Sequence, residues 1–135
     1  MEDNCIFCKI ANGEIPSATV YEDETFRAIL DLSPAAKGHT LILPKAHAVN
    51  LFELPDETAA KALMLAKRLG VVLKEGLHAD GLNVVQNNGE AAGQTVLHFH
   101  MHLIPRYSGD TVNVGWKPGH LTDEDRDEVL KLFQK

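Results

Sequence analysis

The sequence predicts a single domain of mixed helix and strand. Three observations predict it: short runs of β-branched and aromatic residues broken by acidic or Asn/Gly turns, one long helical periodicity in mid-chain, and an alternation of histidine with apolar residues near residue 100. The 135 residues, 44% hydrophobic and 24% charged, suffice for one buried core and leave no room for a second domain.

Taken in order, Cys5 to Asn12 is a short helix that ends at Gly13, and Pro16 keeps it from running on. Thr19–Tyr21 and Phe26–Leu30 are strands flanking Glu22-Asp23-Glu24, a polar stretch suited to a tight hairpin connection. Gly38 opens a third strand, Thr40–Leu43, which Pro44 stops; His47–Leu54 shows neither period and reads as loop or a short helix. Asp56 is the expected N-cap of a long helix over Glu57–Glu75, with Ala59, Ala62, Leu63, Ala66, Leu69 and Leu73 at helical spacing and Gly76 at its exit. Met64, Leu65, Val71 and Val72 widen its apolar face and leave only a narrow polar stripe through Glu57, Lys61, Arg68 and Glu75. A helix of this kind needs cover on two sides, and in so short a chain the second cover is expected to be another subunit. Leu82–Gln86 is a fourth strand with the turn Asn87-Asn88-Gly89 behind it, and His98–Ile104 is a fifth, stopped by Pro105. Thr122 begins a last helix, with Asp123, Glu124 and Asp125 in its first turn and Lys131 and Lys135 near its end, as the helix dipole favours.

The charge balance excludes some work. A net charge of −6 is wrong for a surface that coats nucleic acid, which needs clustered Lys and Arg, so an anionic substrate must be held by local donors. No apolar run reaches the roughly 18 residues of a membrane helix, and Met1-Glu2-Asp3-Asn4 is acidic where a signal peptide is basic. The chain is expected to be soluble and cytoplasmic, and its only two cysteines, Cys5 and Cys8, to be reduced thiols or thiolate metal ligands.

His98, His100 and His102 alternate with Phe99, Met101 and Leu103, and the two-residue period of a strand puts the three imidazoles on one face. Imidazole is largely neutral and nucleophilic near neutral pH, while a protonated neighbour can stabilise phosphate charge, so one residue type can fill both roles. A row of solvated histidines without chemistry is the bland alternative. A catalytic metal site is the sharper one, since histidines two apart on a strand are good zinc ligands. The preceding run, Asn87 to Thr95, weighs against metal: its amides, hydroxyl and small residues at Gly89 and Gly93 let backbone N–H groups approach an anion.

The stretch Gly93-Gln94-Thr95-Val96-Leu97-His98-Phe99-His100-Met101-His102-Leu103 resembles the signature of the histidine-triad (HIT) superfamily. Further matches are Cys5-Ile6-Phe7-Cys8-Lys9-Ile10, Glu14-Ile15-Pro16, Asp31-Leu32-Ser33-Pro34, Lys37-Gly38-His39-Thr40 and Pro44-Lys45-Ala46-His47, which look like the bacterial members of its Hint branch. The resemblance covers residues 5–107, leaving 108–135 as a C-terminal extension with its own helix. It implies an α+β fold with a five-stranded antiparallel sheet, one long helix and short terminal helices. It also implies a homodimer, and cleavage of purine nucleotide substrates of the AMP type at the α-phosphate through a nucleotidyl-histidine intermediate, without an organic cofactor. A nucleotide-binding scaffold with little turnover remains the alternative.

Carried over residue by residue, the resemblance makes His100 the nucleophile, with His102 and His39 flanking the phosphate and the reacting imidazole. Asp31 would bind the ribose hydroxyls, and Ile6, Phe7, Ile10, Ile29 and Leu32 would wall the base, although each of these aliphatics suits plain core equally well. Asn87, Gly93, Gln94 and Thr95 would meet the phosphate or leaving group, Thr95 standing where many relatives carry serine. Past Tyr107 the sequence departs from the eukaryotic Hint pattern, so Trp116 has no assigned role.

Cys5-Ile6-Phe7-Cys8 is not placed like a thioredoxin-type site, which follows a strand within a βαβ unit. Two cysteines three apart offer two thiolates on one helical turn, and tetrahedral structural zinc needs two more ligands. By resemblance to zinc-bearing relatives these are His47 and His98, which would make His98 a structural ligand and leave His100 free for chemistry. Two buried, reduced thiols are the alternative.

Overall fold

The computed structural model describes residues 2–134. Helix α1 (Ile6–Ala11) starts at Cys5, whose sulfur accepts the Cys8 N–H at 3.3 Å in place of the usual oxygen cap. Strands β1 (Thr19–Glu22) and β2 (Phe26–Leu30) are joined by a turn built on Asp23: one carboxylate oxygen accepts the Thr25 and Phe26 N–H groups, both at 2.7 Å. There follow β3 (Thr40–Pro44), α2 (Asp56–Gly76), β4 (Gly81–Gln86), a single 3₁₀ turn (Glu90–Ala92), β5 (Met101–Arg106) and α3 (Asp123–Phe133). The five strands form one sheet in the order β1-β2-β3-β5-β4, with every neighbouring pair antiparallel. This is the α+β architecture expected above.

The alternation along the strands sorts the sheet into two faces. Phe26, Ala28, Ile42, Phe99, Met101 and Leu103 turn to one side and bury Ala62, Leu65 and Ala66 of α2. Ile29, Leu41 and Leu43 turn to the other, where Ala11, Phe7 and Ile10 of α1 cover only part of them. His102 lies opposite Leu41 in the β3–β5 register, so it belongs to this second, incompletely covered face.

Several boundaries differ from the sequence expectation: α1 is one residue shorter at each end, β1 runs on to Glu22 and β4 starts at Gly81, while Pro44 belongs to β3 and does not stop it, since only β2 pairs beside it. Pro55, not Asp56, holds the N-cap position of α2 and makes no side-chain cap bond; Asp56 and Glu57 sit in the first turn and act on the helix dipole instead. Gly76 is the last residue of α2, and Leu77 caps it. Strand β5 begins at Met101 rather than His98, because the β3 ladder starts at Ile42↔Met101 and the Phe99 N–H donates instead to the Ala48 carbonyl at 2.7 Å. Pro105 lies within β5 and does not stop it; the pairing with β3 has already ended at Leu103, so β4 alone runs beside the proline.

Leu63, Met64, Val71 and Val72 of α2 stay exposed, as does Val84 of edge strand β4, which shares a shallow apolar groove with Leu63 and Met64. Thr122 caps α3 through its hydroxyl, yet α3 buries none of its residues; Lys135 lies outside the described residues. No helix among the described residues is long and apolar enough to cross a membrane.

Candidate active site and metal centre

The hydrogen bonds on each imidazole decide which nitrogen carries its proton. A carbonyl can only accept, so the 2.7 Å contact between His100 Nδ1 and the His98 backbone oxygen fixes the proton on Nδ1 and leaves a lone pair on Nε2. At His39 the backbone N–H of Ala35 donates to Nδ1 at 2.9 Å. The His39 proton is therefore on Nε2, from which it donates to His102 Nδ1, also at 2.9 Å. His102 in turn carries its proton on Nε2. A bare nitrogen on His100 and an N–H on His102 thus stand side by side, their rings 5.0 Å apart.

Both flanking histidines are held neutral. Burial pushes His102 down to about 4, the neighbouring His100 and His39 push the same way, and Asp31 opposes them. Burial also lowers His39 against the pull of Asp31, whose carboxylate lies 3.6 Å from His39 Nε2. Asp31, His39 and His102 do converge as three possible metal ligands. A cation there would need the lone pair of His39 Nε2, forcing the proton onto Nδ1 against the Ala35 N–H, so this trio is wired for proton-bearing imidazoles.

His100 and His102 open into a cleft of about 320 Å³ whose apolar wall comes from Ile6, Phe7 and Ile10 of α1 with Ile29, Leu41 and Leu32. Asp31 and Thr95 lie at its lining, the former after β2, the latter on the loop before the triad. The wall is more open than a core: Leu32 is 94% and Ile6 52% exposed, a cost to a free domain that an apolar ligand would remove. Phe7 presents its edge to the His100 ring at 5.1 Å and to the His98 ring at 6.1 Å, so the cleft wall also steadies the histidines.

Behind Phe7 lies a second cluster. His98 donates from Nε2 to the Pro44 carbonyl at 2.8 Å, so its bare Nδ1 faces the sulfurs of Cys5 at 3.3 Å and Cys8 at 3.4 Å. His47 Nδ1 lies 3.2 Å from the Cys8 sulfur. The four donor atoms stand within 4.8 Å of one another, the spread that a tetrahedral S₂N₂ ion fits. Burial pushes His98 down to about 4, which keeps it the neutral ligand a metal requires, and raises the Cys8 thiol. Thiolate and imidazole in this ratio suit zinc rather than a hard cation.

A family model described as the HIT domain matches residues 12–109. The chain belongs to the HIT domain family. It is 49% identical over 116 residues to "Protein hit" of Bacillus subtilis, covering 85% of this chain and 80% of the relative. It is 46% identical over 123 residues to adenosine 5'-monophosphoramidase HNT1 of Saccharomyces cerevisiae, covering 90% and 75%. Among solved structures, a HIT family protein from Bacillus anthracis superposes with a TM-score of 0.90 at 42% identity, covering 99% of this chain and 97% of that one. A Zn-bound histidine triad family protein from Mycobacterium smegmatis superposes at 0.78 with 40% identity, covering 97% and 96%.

Within this HIT domain the expected residues are used unequally. His98, His100 and His102 share one side as the alternation requires, but His98 is fully buried and belongs to the cysteine cluster, so the row at the cleft has two members. Gln94 is buried, its amide donating to the Val49 and Val96 carbonyls at 2.6 and 3.0 Å and its oxygen accepting the Gly89 N–H at 2.8 Å. Its side chain is spent on bracing the loop and has no donor left for an anion. Asn87 and Gly93 pack together on the loop before the triad, a Cβ on Gly93 falling 3.5 Å from the Asn87 amide nitrogen. Sequence reasoning missed Leu41, Val96, the Ala35 N–H and the Pro44 carbonyl. Leu41 was recoverable from strand parity, whereas no side-chain pattern signals a backbone group.

Proposed function

We propose that this HIT protein hydrolyses or transfers nucleotides at the α-phosphate, acting on purine nucleoside phosphoramidates or related nucleotidyl substrates through an intermediate bonded to His100. The observation that carries the reading is the bond from His100 Nδ1 to the His98 carbonyl, which leaves Nε2 bare in the cleft. Nε2 attacks phosphorus, the bond to the leaving nitrogen breaks, and that nitrogen takes a proton from solvent. The phosphorylated ring keeps its Nδ1 proton and is positively charged, so the His98 carbonyl stabilises it. A cationic imidazole is in turn a good leaving group when water attacks phosphorus and restores the lone pair. The His102 Nε2–H and the Thr95 hydroxyl donate to the phosphoryl oxygens as charge develops. The base lies among Ile6, Phe7, Ile10, Ile29 and Leu32, and Asp31 takes the ribose hydroxyls. A similar protein named as an adenosine 5'-monophosphoramidase supports the substrate class.

Zinc at Cys5, Cys8, His47 and His98 is structural in this reading, because four protein ligands leave no open position. The unshared apolar face of Leu63, Met64, Val71, Val72 and Val84 supports a homodimer, and free thiols suit a reducing cytoplasm. The testing experiment is turnover of adenosine phosphoramidate by wild type and His100→Ala. Turnover should fall by several orders of magnitude while AMP affinity is largely kept. Near-wild-type turnover in His100→Ala, or a nucleotidyl adduct trapped on another residue, would refute the assignment.

A further inference from the structure

We propose that Cys5 and Cys8 form a reversible oxidation site, at which a peroxide converts the metal-binding thiolate pair to a disulfide and releases the zinc. The inference rests on the zinc occupancy proposed above and not on the nucleotide chemistry. The two sulfurs already face each other across the first turn of α1, within the 4.8 Å cluster, and the Cys8 N–H points at the Cys5 sulfur. Access is unequal: Cys8 is fully buried, but Cys5 is half-buried and, with His47, lines a cavity of about 540 Å³ that is open to solvent. A small oxidant therefore reaches the Cys5 sulfur first, with Cys8 held behind it as the resolving thiol.

The chemistry balances without another reagent. The Cys5 thiolate attacks one peroxide oxygen, the O–O bond breaks, and hydroxide leaves behind a sulfenic acid. The Cys8 thiolate attacks that sulfur, the S–O bond breaks, and a second hydroxide leaves. The two sulfurs give up two electrons in all, the peroxide accepts both, and two protons convert the hydroxides to water. A disulfide has no anionic sulfur to offer a cation, so a four-ligand site falls to two imidazoles.

The consequence reaches the cleft through two connections. Ile6, Thr95 and Val96 line both this cavity and the nucleotide cleft, so α1 is a shared wall. Phe7 lies edge-on to the rings of both His98 and His100, and the His98 carbonyl holds His100 in its nucleophilic tautomer. Freeing His98 from the sulfurs loosens the base wall and the nucleophile together. Oxidation is expected to raise KM and lower kcat at once.

The test treats the full-length, as-purified protein with graded hydrogen peroxide. Zinc released to a chromogenic chelator is read beside the Cys5–Cys8 linkage in a non-reducing peptide map, which separates it from methionine oxidation. One zinc should be released for each disulfide formed, and thiol reductant with added zinc should restore metal, thiols and activity. In Cys5→Ser no intramolecular disulfide should form, and Cys8 should remain reduced or oxidise singly. Protein that holds zinc yet keeps it and both thiols under peroxide overturns this inference and leaves the metal site standing. Zinc released without a Cys5–Cys8 disulfide overturns it as well. Protein that never holds zinc overturns the metal site and this inference with it, while the nucleotide reading is judged separately by turnover of the reduced enzyme.

Discussion

If His39 acts only by aiming the His102 proton, its removal should matter only while His102 is present. His39→Leu deletes one neutral N–H···N bond of 2.9 Å, worth about 0.5–1.5 kcal/mol, which is roughly a 2- to 13-fold loss in kcat. His102→Ala deletes a donor aimed at the developing phosphoryl charge and should cost about 10²–10³ in kcat. In the double variant the His39 effect should vanish, leaving the rate of His102→Ala alone. His39→Gln supplies an amide N–H near the position of imidazole Nε2 and should recover part of the single-variant loss. The assay is single-turnover cleavage of adenosine phosphoramidate at a temperature where every variant is folded, since His39→Leu also leaves the Ala35 N–H without its acceptor. Multiplicative losses in the double variant would refute the relay, because they would mean that His39 acts on the reaction by a route that bypasses His102.

The remaining predictions concern stability and assembly. Because burial lowers His102 to about 4 from the ordinary 6.5, the unfolded chain takes up its proton first; stability is full above about pH 6.5 and is lost as pH falls toward 4, by at most about 3 kcal/mol and less with solvent screening. Urea unfolding of wild type and His102→Gln between pH 7 and 5 checks this, and equal slopes would refute it. Light scattering at micromolar concentration should give twice the chain mass for wild type and a smaller mass for Met64→Glu, whose charge would sit in the exposed apolar face; a monomeric wild type would refute the dimer. Gly38→Ala should cost about 1–3 kcal/mol in thermal unfolding, since φ is +92° there and a Cβ would collide with the Leu77 side chain and crowd Pro105. An unchanged midpoint would contradict the packing of the β3 entrance against the end of α2.

Much of the fold was legible because periodicity and burial obey the same geometry. The alternation from His98 to Leu103 placed Phe99, Met101 and Leu103 against α2 and the histidines opposite, even though the ladder itself starts only at Met101. The strand order was not legible from spacing, since β5 inserts between β3 and β4 and no local signal reports that. The cleft wall divided along the same line. Ile29, embedded in β2, is 5% exposed and serves as both core and wall, whereas Leu32 and Ile6 lie at a strand exit and a helix start, where Leu32 is almost bare and Ile6 only half covered. Gln94 shows the opposite limit: an amide beside a glycine looks like an anion donor in sequence, but the backbone carbonyls of Val49, from a distant loop, and of Val96 take both its N–H groups.

The three triad histidines are chemically identical in the sequence, and the fold separates them by giving each a different fixed partner. Pro44 offers His98 a carbonyl at Nε2, so its Nδ1 is bare and faces two sulfurs. His98 then offers its own carbonyl to His100 at Nδ1, so there the bare nitrogen is Nε2 and faces the cleft. His102 receives an N–H at Nδ1 from His39, and its remaining nitrogen must donate. Each assignment traces to a backbone group that cannot change its character: the Pro44 and His98 carbonyls act directly, and the Ala35 N–H acts through the His39 tautomer. A substitution that leaves every histidine in place but moves the Pro44 or His98 carbonyl would therefore change the roles within the triad. In the proposed reaction, the Cys5, Cys8 and His47 cluster that faces His98 Nδ1 would therefore act on the triad without touching the substrate.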